Sequence, residues 1–458
     1  MTTTPEPLRV IVPTGMLGGG FPSESIAHGI AQGADAIVVD GGSTDSGPYY
    51  LGTGTAKTSD EAVRRDLHVL LTAAQAAGIP LIVSSCGTSG TDAGVDWVAD
   101  MVTSIARQES LSFRLAAIYS EQSVEVLTAA VDEGRIAPLA PAGALQADTL
   151  RSCAHIVGVL GSEPIVDALE AGAQVVLTGR ATDTAPLAAL ALRRGLPAGP
   201  AGHAAKTAEC GGLCTTNPLV GVLVEVDDGG FTIESLDPQS AATPTSVAAH
   251  MIYENADPFR MREPSGTLDT SHAAYRALDE RRVRVEGSVF EPAEQYTVKL
   301  EGSARTGYET LVLVGIRDPE ILRDLDTWTS RLEAVTADRV LSLLGLDRSG
   351  YELAVRRYGD NAVLGPIEPE TGPPREVGVL LKVRAASQAT ATSIAKIANP
   401  LLLHLPLAGM GHLPSFAFVT SPAEIERGAV YEFVLNHAVA TATPQELFRT
   451  KHSEVTYV

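Results

Sequence analysis

The stretch A-D-A-I-V-V-D-G-G-S-T-D-S-G-P-Y-Y-L-G-T-G, Ala34–Gly54, carries the pattern that decides the fold. Its apolar run, Ala36–Val39, is long enough for one buried strand of a parallel sheet. In an open α/β sheet, ligands bind in the crevice outside the carboxyl ends of the strands. We therefore expect a small polar ligand to meet the side chains that follow this run: Asp40, Ser43, Thr44 and Asp45. The alternative is a turn rich in Asp, Ser and Gly with no further role.

Strand and helix patterns alternate on both sides of this stretch, over the first 200 residues. Apolar runs at 8–14, 80–84, 114–119, 155–160 and 174–178 predict further strands with helices between them. Such alternation predicts an α/β fold with a doubly wound, mainly parallel sheet. The alternation stops at the Pro- and Gly-rich segment Leu196–Gly202. We therefore expect two domains, a Rossmann-like α/β domain at 1–200 and an α+β domain at 201–458 that covers the cleft.

Charge and composition exclude several classes of protein. The chain has 458 residues and a formal net charge of −21, which disfavours binding to nucleic acid or to an anionic membrane surface. Four scattered cysteines are too few for a disulfide scaffold. The first residues lack the pattern of a signal peptide, and no apolar run is long enough for a membrane helix. We expect a cytoplasmic protein that forms a homo-oligomer, as large α/β enzymes commonly do.

Two further loops follow predicted strands and carry polar side chains. In the loop Arg180–Asp183, the guanidinium of Arg180 could bind a carboxylate or phosphate bidentately. It could equally pair with Asp183 and hold the loop. In the loop Ser84–Ser89, Cys86 is either a site residue or a small apolar side chain packed beside its strand.

A second polar cluster lies in G-H-A-A-K-T-A-E-C-G-G-L-C, Gly202–Cys214. Helical spacing would put His203, Lys206 and Cys210 on one face. A neighbouring cation lowers a thiol pKa, as a nucleophilic or proton-transferring cysteine requires. Alternatively, Glu209 is the base and Lys206 stabilises an enolate or oxyanion. A zinc site and a purely structural helix end also remain open, the zinc ligands being His203, Cys210 and Cys214.

A third cluster gives a weaker indication of function. Lys299 and Glu301 alternate onto one face of a predicted strand, where they either line a cleft or form an exposed ion pair. Helical spacing also puts together His250, Tyr253 and Glu254, but it does not assign a chemical role to them. The sequence has no Gly-x-Gly-x-x-Gly after its first strand, no Walker A lysine, no Gly-x-Ser-x-Gly and no His-Glu-x-x-His. Nucleotide chemistry and a dinucleotide-dependent oxidoreductase are therefore not indicated.

Several motifs together resemble those of the AtuA-like acyclic-terpene-utilisation proteins. They are the glycine-rich exit of the first strand, D-G-G-S-T-D-S-G-P-Y-Y-L-G at 40–52, G-R-A-T-D-T-A at 179–185 and H-A-A-K-T-A-E-C at 203–210. The resemblance covers most of the chain and is strongest over Leu8–Glu254. It implies a role in terpenoid catabolism, with a lyase step that releases acetate from a branched 3-hydroxyglutaryl-CoA.

These observations favour a metal-independent acid–base enzyme that acts on a small or CoA-linked carboxylate. A C–C lyase is the first expectation, with a related isomerase or hydratase beside it. The alternatives are a Cys210-dependent hydrolase or transferase, and a non-catalytic subunit of a heteromeric complex. The predicted catalytic residues are Asp40, Asp45, Lys206, Glu209 and Cys210. The predicted substrate-binding residues are Ser43, Thr44, Cys86, Arg180, Asp183, His203, Lys299 and Glu301.

Overall fold

The computed structural model describes residues 5–255, 257–369 and 372–457. The strands are β1 Leu8–Val12, β2 Ala36–Asp40, β3 Leu81–Ser84, β4 Phe113–Tyr119, β5 Ile136–Pro138, β6 Cys153–Val159, β7 Val175–Thr178, β8 Val222–Asp227, β9 Gly230–Ser235, β10 Arg260–Glu263, β11 Gly266–Asp269, β12 Ala274–Ala277, β13 Arg282–Glu286, β14 Val289–Pro292, β15 Thr297–Ile316, β16 Tyr351–Tyr358, β17 Val377–Ala385, β18 Ala417–Phe418, β19 Glu424–Ala440 and β20 Arg449–Val455.

The helices alternate with strands in the first part of the chain and become sparser after it. They are α1 Ser23–Ala31, α2 Pro48–Thr53, α3 Asp60–Ala77, α4 Asp92–Glu109, α5 Val124–Asp132, α6 Ala147–Ser152, α7 Glu163–Glu170, α8 Ala185–Arg193, α9 Ala198–Ala208, α10 Pro244–His250, α11 Pro319–Arg323, α12 Leu325–Leu344 and α13 Gln388–His404. Short 3-10 turns lie at Thr44–Ser46, Gly211–Cys214 and Gly365–Ile367. Among the described residues, none of these helices combines the length and apolar character needed to span a membrane.

A ten-stranded sheet organises the larger part of the chain, in the order β12-β13-β9-β8-β1-β2-β3-β7-β4-β20. The five strands from β1 to β4 in this order run parallel to their neighbours. Antiparallel strands extend the sheet at both ends, with β8 against β1 and β20 against β4. The mixed α/β class predicted from the alternating pattern is confirmed.

The central strands bury side chains on both faces of this sheet. Successive side chains of a strand point to opposite faces, so Ile37 and Val39 enter one core while Ala36 and Val38 enter another. Buried residues of α3 and α4 fill the first core, and the alanine-rich helices α8 and α9 fill the second. This two-sided burial explains why β2 is a continuous apolar run rather than an alternating one.

The chain divides into two compact units. The first comprises the residues up to Ala304 together with those from Phe433 onward, and the second is Arg305–Glu432. In the second unit, β17 pairs antiparallel with β16 and with residues 308–316 of β15. Helices α12 and α13 contribute to its core, in which Trp328 is fully buried and donates to the carbonyl oxygen of Leu405 at 2.9 Å.

Two features differ from the sequence-based expectation. The strand predicted at 155–160 exists as β6 but pairs antiparallel with residues 299–304 of β15, outside the parallel sheet. Its first three residues are not buried, which suits a strand that is not covered on both faces. The boundary expected near residue 200 also differs from the observed division, because β8 and β9 continue the main sheet from β1.

The loops that follow β2, β3 and β7 interlock at one edge of the sheet. The amide of Gly41 donates to the carbonyl oxygen of Ser84 at 2.6 Å, and the amide of Ser85 donates to that of Gly179 at 3.1 Å. The backbones approach so closely that a Cβ added at Gly90 would lie 2.0 Å from the backbone nitrogen of Arg180. The three strand-end loops therefore share one rim.

Replacing Gly90 by alanine should damage this rim. Gly90 has a φ of +67°, so Gly90→Ala adds backbone strain to a clash with backbone atoms. We expect it to lower the free energy of unfolding by more than about 3 kcal/mol, measured by urea denaturation. The matched control is Gly78→Ala, at φ +69° with nothing within 4 Å of the added Cβ, for which about 1 kcal/mol is expected. Equal losses in the two variants would contradict the close approach.

Candidate active site

A cavity of about 240 Å³ lies at this rim, within the first unit. Four parts of the chain supply most of its lining: the loops that follow β1, β2 and β7, and the segment after α9. The lining residues are Gly15, Met16, Asp40, Gly42, Ser43, Asp45, Ser46, Lys57, Asp183, Glu209, Cys210, Tyr253 and Glu254. The loop after β2 and the segment after α9, more than 160 positions apart in the chain, thus meet in one cavity.

Asp40 is the last residue of β2 and is only partly exposed. Its carboxyl oxygen Oδ1 accepts hydrogen bonds from Ser84 Oγ at 3.1 Å and from the amide of Gly42 at 3.3 Å. Burial, together with the charge of Asp183, raises the pKa of Asp40 to about 7 in spite of the opposing charge of Arg180. A carboxyl group with such a pKa can both take up and release a proton near neutral pH.

Lys206 and Glu209 form a buried ion pair next to Asp183. Lys206 Nζ lies 2.5 Å from Glu209 Oε1 and 3.8 Å from Asp183 Oδ2. Burial favours the neutral amine of Lys206, but the charges of Glu209 and Asp183 outweigh it and raise its pKa. Lys206 and Glu209 lie about one helical turn apart, at the end of α9.

His250 and Cys210 complete this corner of the cavity. One ligand atom each of Glu209, Cys210 and His250 lies within 4.8 Å of the other two. Within the described residues, Glu209 Oε2 and His250 Nε2 are buried and have no hydrogen-bond partner. Burial and the charge of Lys206 lower the pKa of His250 to about 4, so its imidazole is neutral. Burial and the charge of Glu209 raise the pKa of the Cys210 thiol, which therefore keeps its proton.

Arg180, Thr44, Lys299 and Glu301 do not line the cavity but bind one another. Glu301 accepts from Arg180 Nε at 3.2 Å, from Thr44 Oγ1 at 2.8 Å and from Lys299 Nζ at 2.8 Å. Burial alone would raise the pKa of Glu301, but the charges of Arg180 and Lys299 lower it to about 2. The guanidinium of Arg180 is thus already bound to a carboxylate of the chain, and it reaches Asp183 only at 3.8 Å.

Three other candidates from the sequence lie away from the cavity. The thiol of Cys86 is fully buried and contacts the carbonyl oxygen of Val83 at 3.6 Å. His203 is held by Ser288 Oγ at 2.6 Å and by the hydroxyl of Tyr275 at 3.2 Å. Cys214 Sγ contacts the carbonyl oxygen of Gly211 at 3.6 Å. None of the three lines the cavity.

Sequence reasoning did not assign cavity roles to several lining residues. Lys57 is exposed, lines the cavity and donates to Ser46 Oγ at 3.3 Å, yet it follows no strand. Tyr253 and Glu254 lie just beyond α10, and their helical spacing from His250 was the only available signal. That spacing could not show that His250 lies near Glu209, because the chain forms β8 and β9 between these two residues.

The raised pKa of Asp40 should make stability depend on pH. Its folded-state pKa of about 7 exceeds the ordinary 3.8, so its contribution is complete below about pH 4 and is lost as pH rises through about 7. From about pH 5 to about pH 8, we expect the wild type to lose roughly 1–3 kcal/mol relative to Asp40→Asn, measured by urea denaturation. Ser43→Ala removes no titrating group and should keep the wild-type dependence. Parallel pH curves for Asp40→Asn and the wild type would refute the shift.

Comparison with known proteins connects this site to a family. The family model described as "Acyclic terpene utilisation family protein AtuA" matches residues 51–194 and 204–442. The match includes Asp183, Lys206, Glu209, Cys210 and His250 and begins after the Asp40 loop. No curated protein and no solved structure matches significantly. The resemblance seen in the sequence motifs is confirmed, and because the match spans most of the chain, the protein belongs to the AtuA acyclic-terpene-utilisation family.

Proposed function

We propose that the protein is an enzyme that cleaves a carbon–carbon bond of a small or CoA-linked carboxylate by acid–base chemistry. Its family ties it to terpene utilisation. The observation that carries the proposal is the carboxyl group of Asp40, which lines the cavity and has a pKa near 7. A general base works best when its pKa lies close to the working pH.

The substrate class that the resemblance to this family implies is a branched 3-hydroxyglutaryl-CoA. Asp40, as the carboxylate, takes the proton of the tertiary hydroxyl group. The C–O bond becomes a carbonyl while the bond to the carboxymethyl branch breaks, and its electron pair passes to the departing carbon. That carbon then takes a proton from the Asp40 carboxyl group, which gives acetate and a 3-oxoacyl-CoA and restores the base.

Charge in the cavity supports an acid–base role and limits how the substrate binds. Five of the lining residues carry carboxyl groups, and Lys57 is the one lysine or arginine among them. A negative group of the substrate is best placed beside Lys57 and the hydroxyl of Ser46, away from Glu209. Ser43 donates to Asp45 at 2.5 Å, so this loop is ordered around its own hydrogen bond.

The proton that the Cys210 thiol keeps makes the hydrolase alternative less suitable. A cysteine nucleophile reacts as the thiolate, which a lowered pKa favours. Burial and Glu209 act in the opposite direction on Cys210. The acid–base lyase therefore agrees better with the site than a Cys210-dependent hydrolase or transferase.

Acetate release from a 3-hydroxy-3-alkylglutaryl-CoA tests the proposal. We expect kcat/KM of the wild type to rise with pH up to about 7 and then to level off, because the base must be ionised. Asp40→Asn should lower kcat/KM by about 10²- to 10⁴-fold and remove this rise. Asp45→Asn, on the same loop, is the matched control and should cost less than about tenfold.

Two results would count against the proposal. One is the absence of acetate release from any branched 3-hydroxyacyl-CoA by folded wild-type protein. The other is an Asp40→Asn variant that keeps both the rate and the pH profile of the wild type.

A further inference from the structure

We infer that Glu209, Cys210 and His250 form a binding site for a divalent transition-metal ion, and that zinc is the ion this set suits best. Carboxylate, thiolate and imidazole are the side-chain ligands that zinc takes in proteins, and its binding would displace the proton that the Cys210 thiol otherwise keeps. One ligand atom of each residue already lies within 4.8 Å of the others. Bonds of about 2.0–2.3 Å to one ion would bring these atoms to within about 4 Å of one another, so small side-chain movements suffice.

Two unpartnered atoms indicate that this corner is built for a ligand. The side chains of Glu209 and His250 are only 4% and 3% exposed. Their atoms Glu209 Oε2 and His250 Nε2 nevertheless have no hydrogen-bond partner in the described part of the chain. The 3.9 Å between His250 Nε2 and Glu209 Oε1 is too long for a hydrogen bond. Because a buried polar atom without a partner destabilises the folded state, an ion that binds both atoms would stabilise it.

The surroundings favour a cation at this position. Glu209 and Cys210 directly follow the last residue of α9, and His250 is the last residue of α10. The carboxyl end of a helix carries a partial negative charge, which stabilises cations. Lys206 is the opposing charge, but it binds Glu209 Oε1 and leaves Oε2 free. Lys206 therefore orients the carboxylate, as hydrogen-bonding neighbours of metal ligands commonly do.

The site would open onto the cavity. Glu209 and Cys210 both line it, so an ion with these three ligands would direct its fourth position towards the cavity. An ion there would polarise the oxygen of a bound hydroxyl group. The site adds to the proposed lyase and does not depend on it. It also differs from the set His203, Cys210 and Cys214, two members of which are bound elsewhere.

Zinc binding to the full chain after chelator treatment tests the site. We expect the wild type to take up about one zinc ion per chain, measured by elemental analysis and titration. Cys210→Ser and His250→Gln should each weaken zinc binding by more than about 100-fold. Cys214→Ala is the matched cysteine control and should bind zinc like the wild type. Cobalt in place of zinc should give a thiolate-to-metal charge-transfer band in the wild type and in Cys214→Ala, but not in Cys210→Ser.

Circular dichroism and thermal unfolding identify variants that fold, and only those are compared. If His250→Gln does not fold, Cys210→Ser and the cobalt band of the wild type decide the matter. The site is refuted if folded wild type takes up no zinc, or if Cys210→Ser keeps wild-type affinity. It is also refuted if Cys214→Ala loses zinc as Cys210→Ser does. Zinc binding is measured without substrate, so a failure to bind zinc does not contradict the lyase proposal. Conversely, a protein that binds zinc but lacks lyase activity does not contradict this site.

Discussion

The parallel pairing of β2 with β3 is the constraint on which the site depends. The paired residues end with Asp40 opposite Ser84, and the amide of Gly41 continues the contact by donating to the carbonyl oxygen of Ser84. This register brings Ser84 Oγ to the Asp40 carboxyl group. The loops that follow are packed so tightly that glycine is required at Gly90. A rigid backbone of this kind fixes the position of a catalytic carboxyl group better than a mobile loop could.

Two carboxyl groups in this region, Glu301 and Asp40, have pKa values shifted in opposite directions. Glu301 is buried against Arg180 and Lys299, and its pKa falls to about 2. Asp40 is desolvated by burial and feels the negative charge of Asp183 more strongly than the positive charge of Arg180, and its pKa rises to about 7. Desolvation disfavours both carboxylates, so the difference lies in the charges around them. The chain thus keeps a permanently charged carboxylate at Glu301 and an exchangeable proton at Asp40.

Local patterns predicted local features well. The run Ala36–Val39 followed by Asp40 matched β2, because burial on both faces demands a continuous apolar segment. Long-range partners could not be predicted this way. The partner of Arg180 is Glu301, and His250 reaches Glu209 across a hairpin, so no spacing rule connects them. The position of β6 was missed for the same reason, since its partner strand is far along the chain.

The main sheet is completed by a late part of the chain. Strand β20 covers the outer edge of β4, although more than 300 residues separate them and the second compact unit is encoded between them. During synthesis, β4 is therefore made long before its neighbour, and its edge of free amide and carbonyl groups has no partner on that side. Such edges are prone to pair with other chains. During synthesis there is thus a period in which the exposed edge of β4 makes the nascent protein prone to aggregate, whereas this edge is covered in the folded protein.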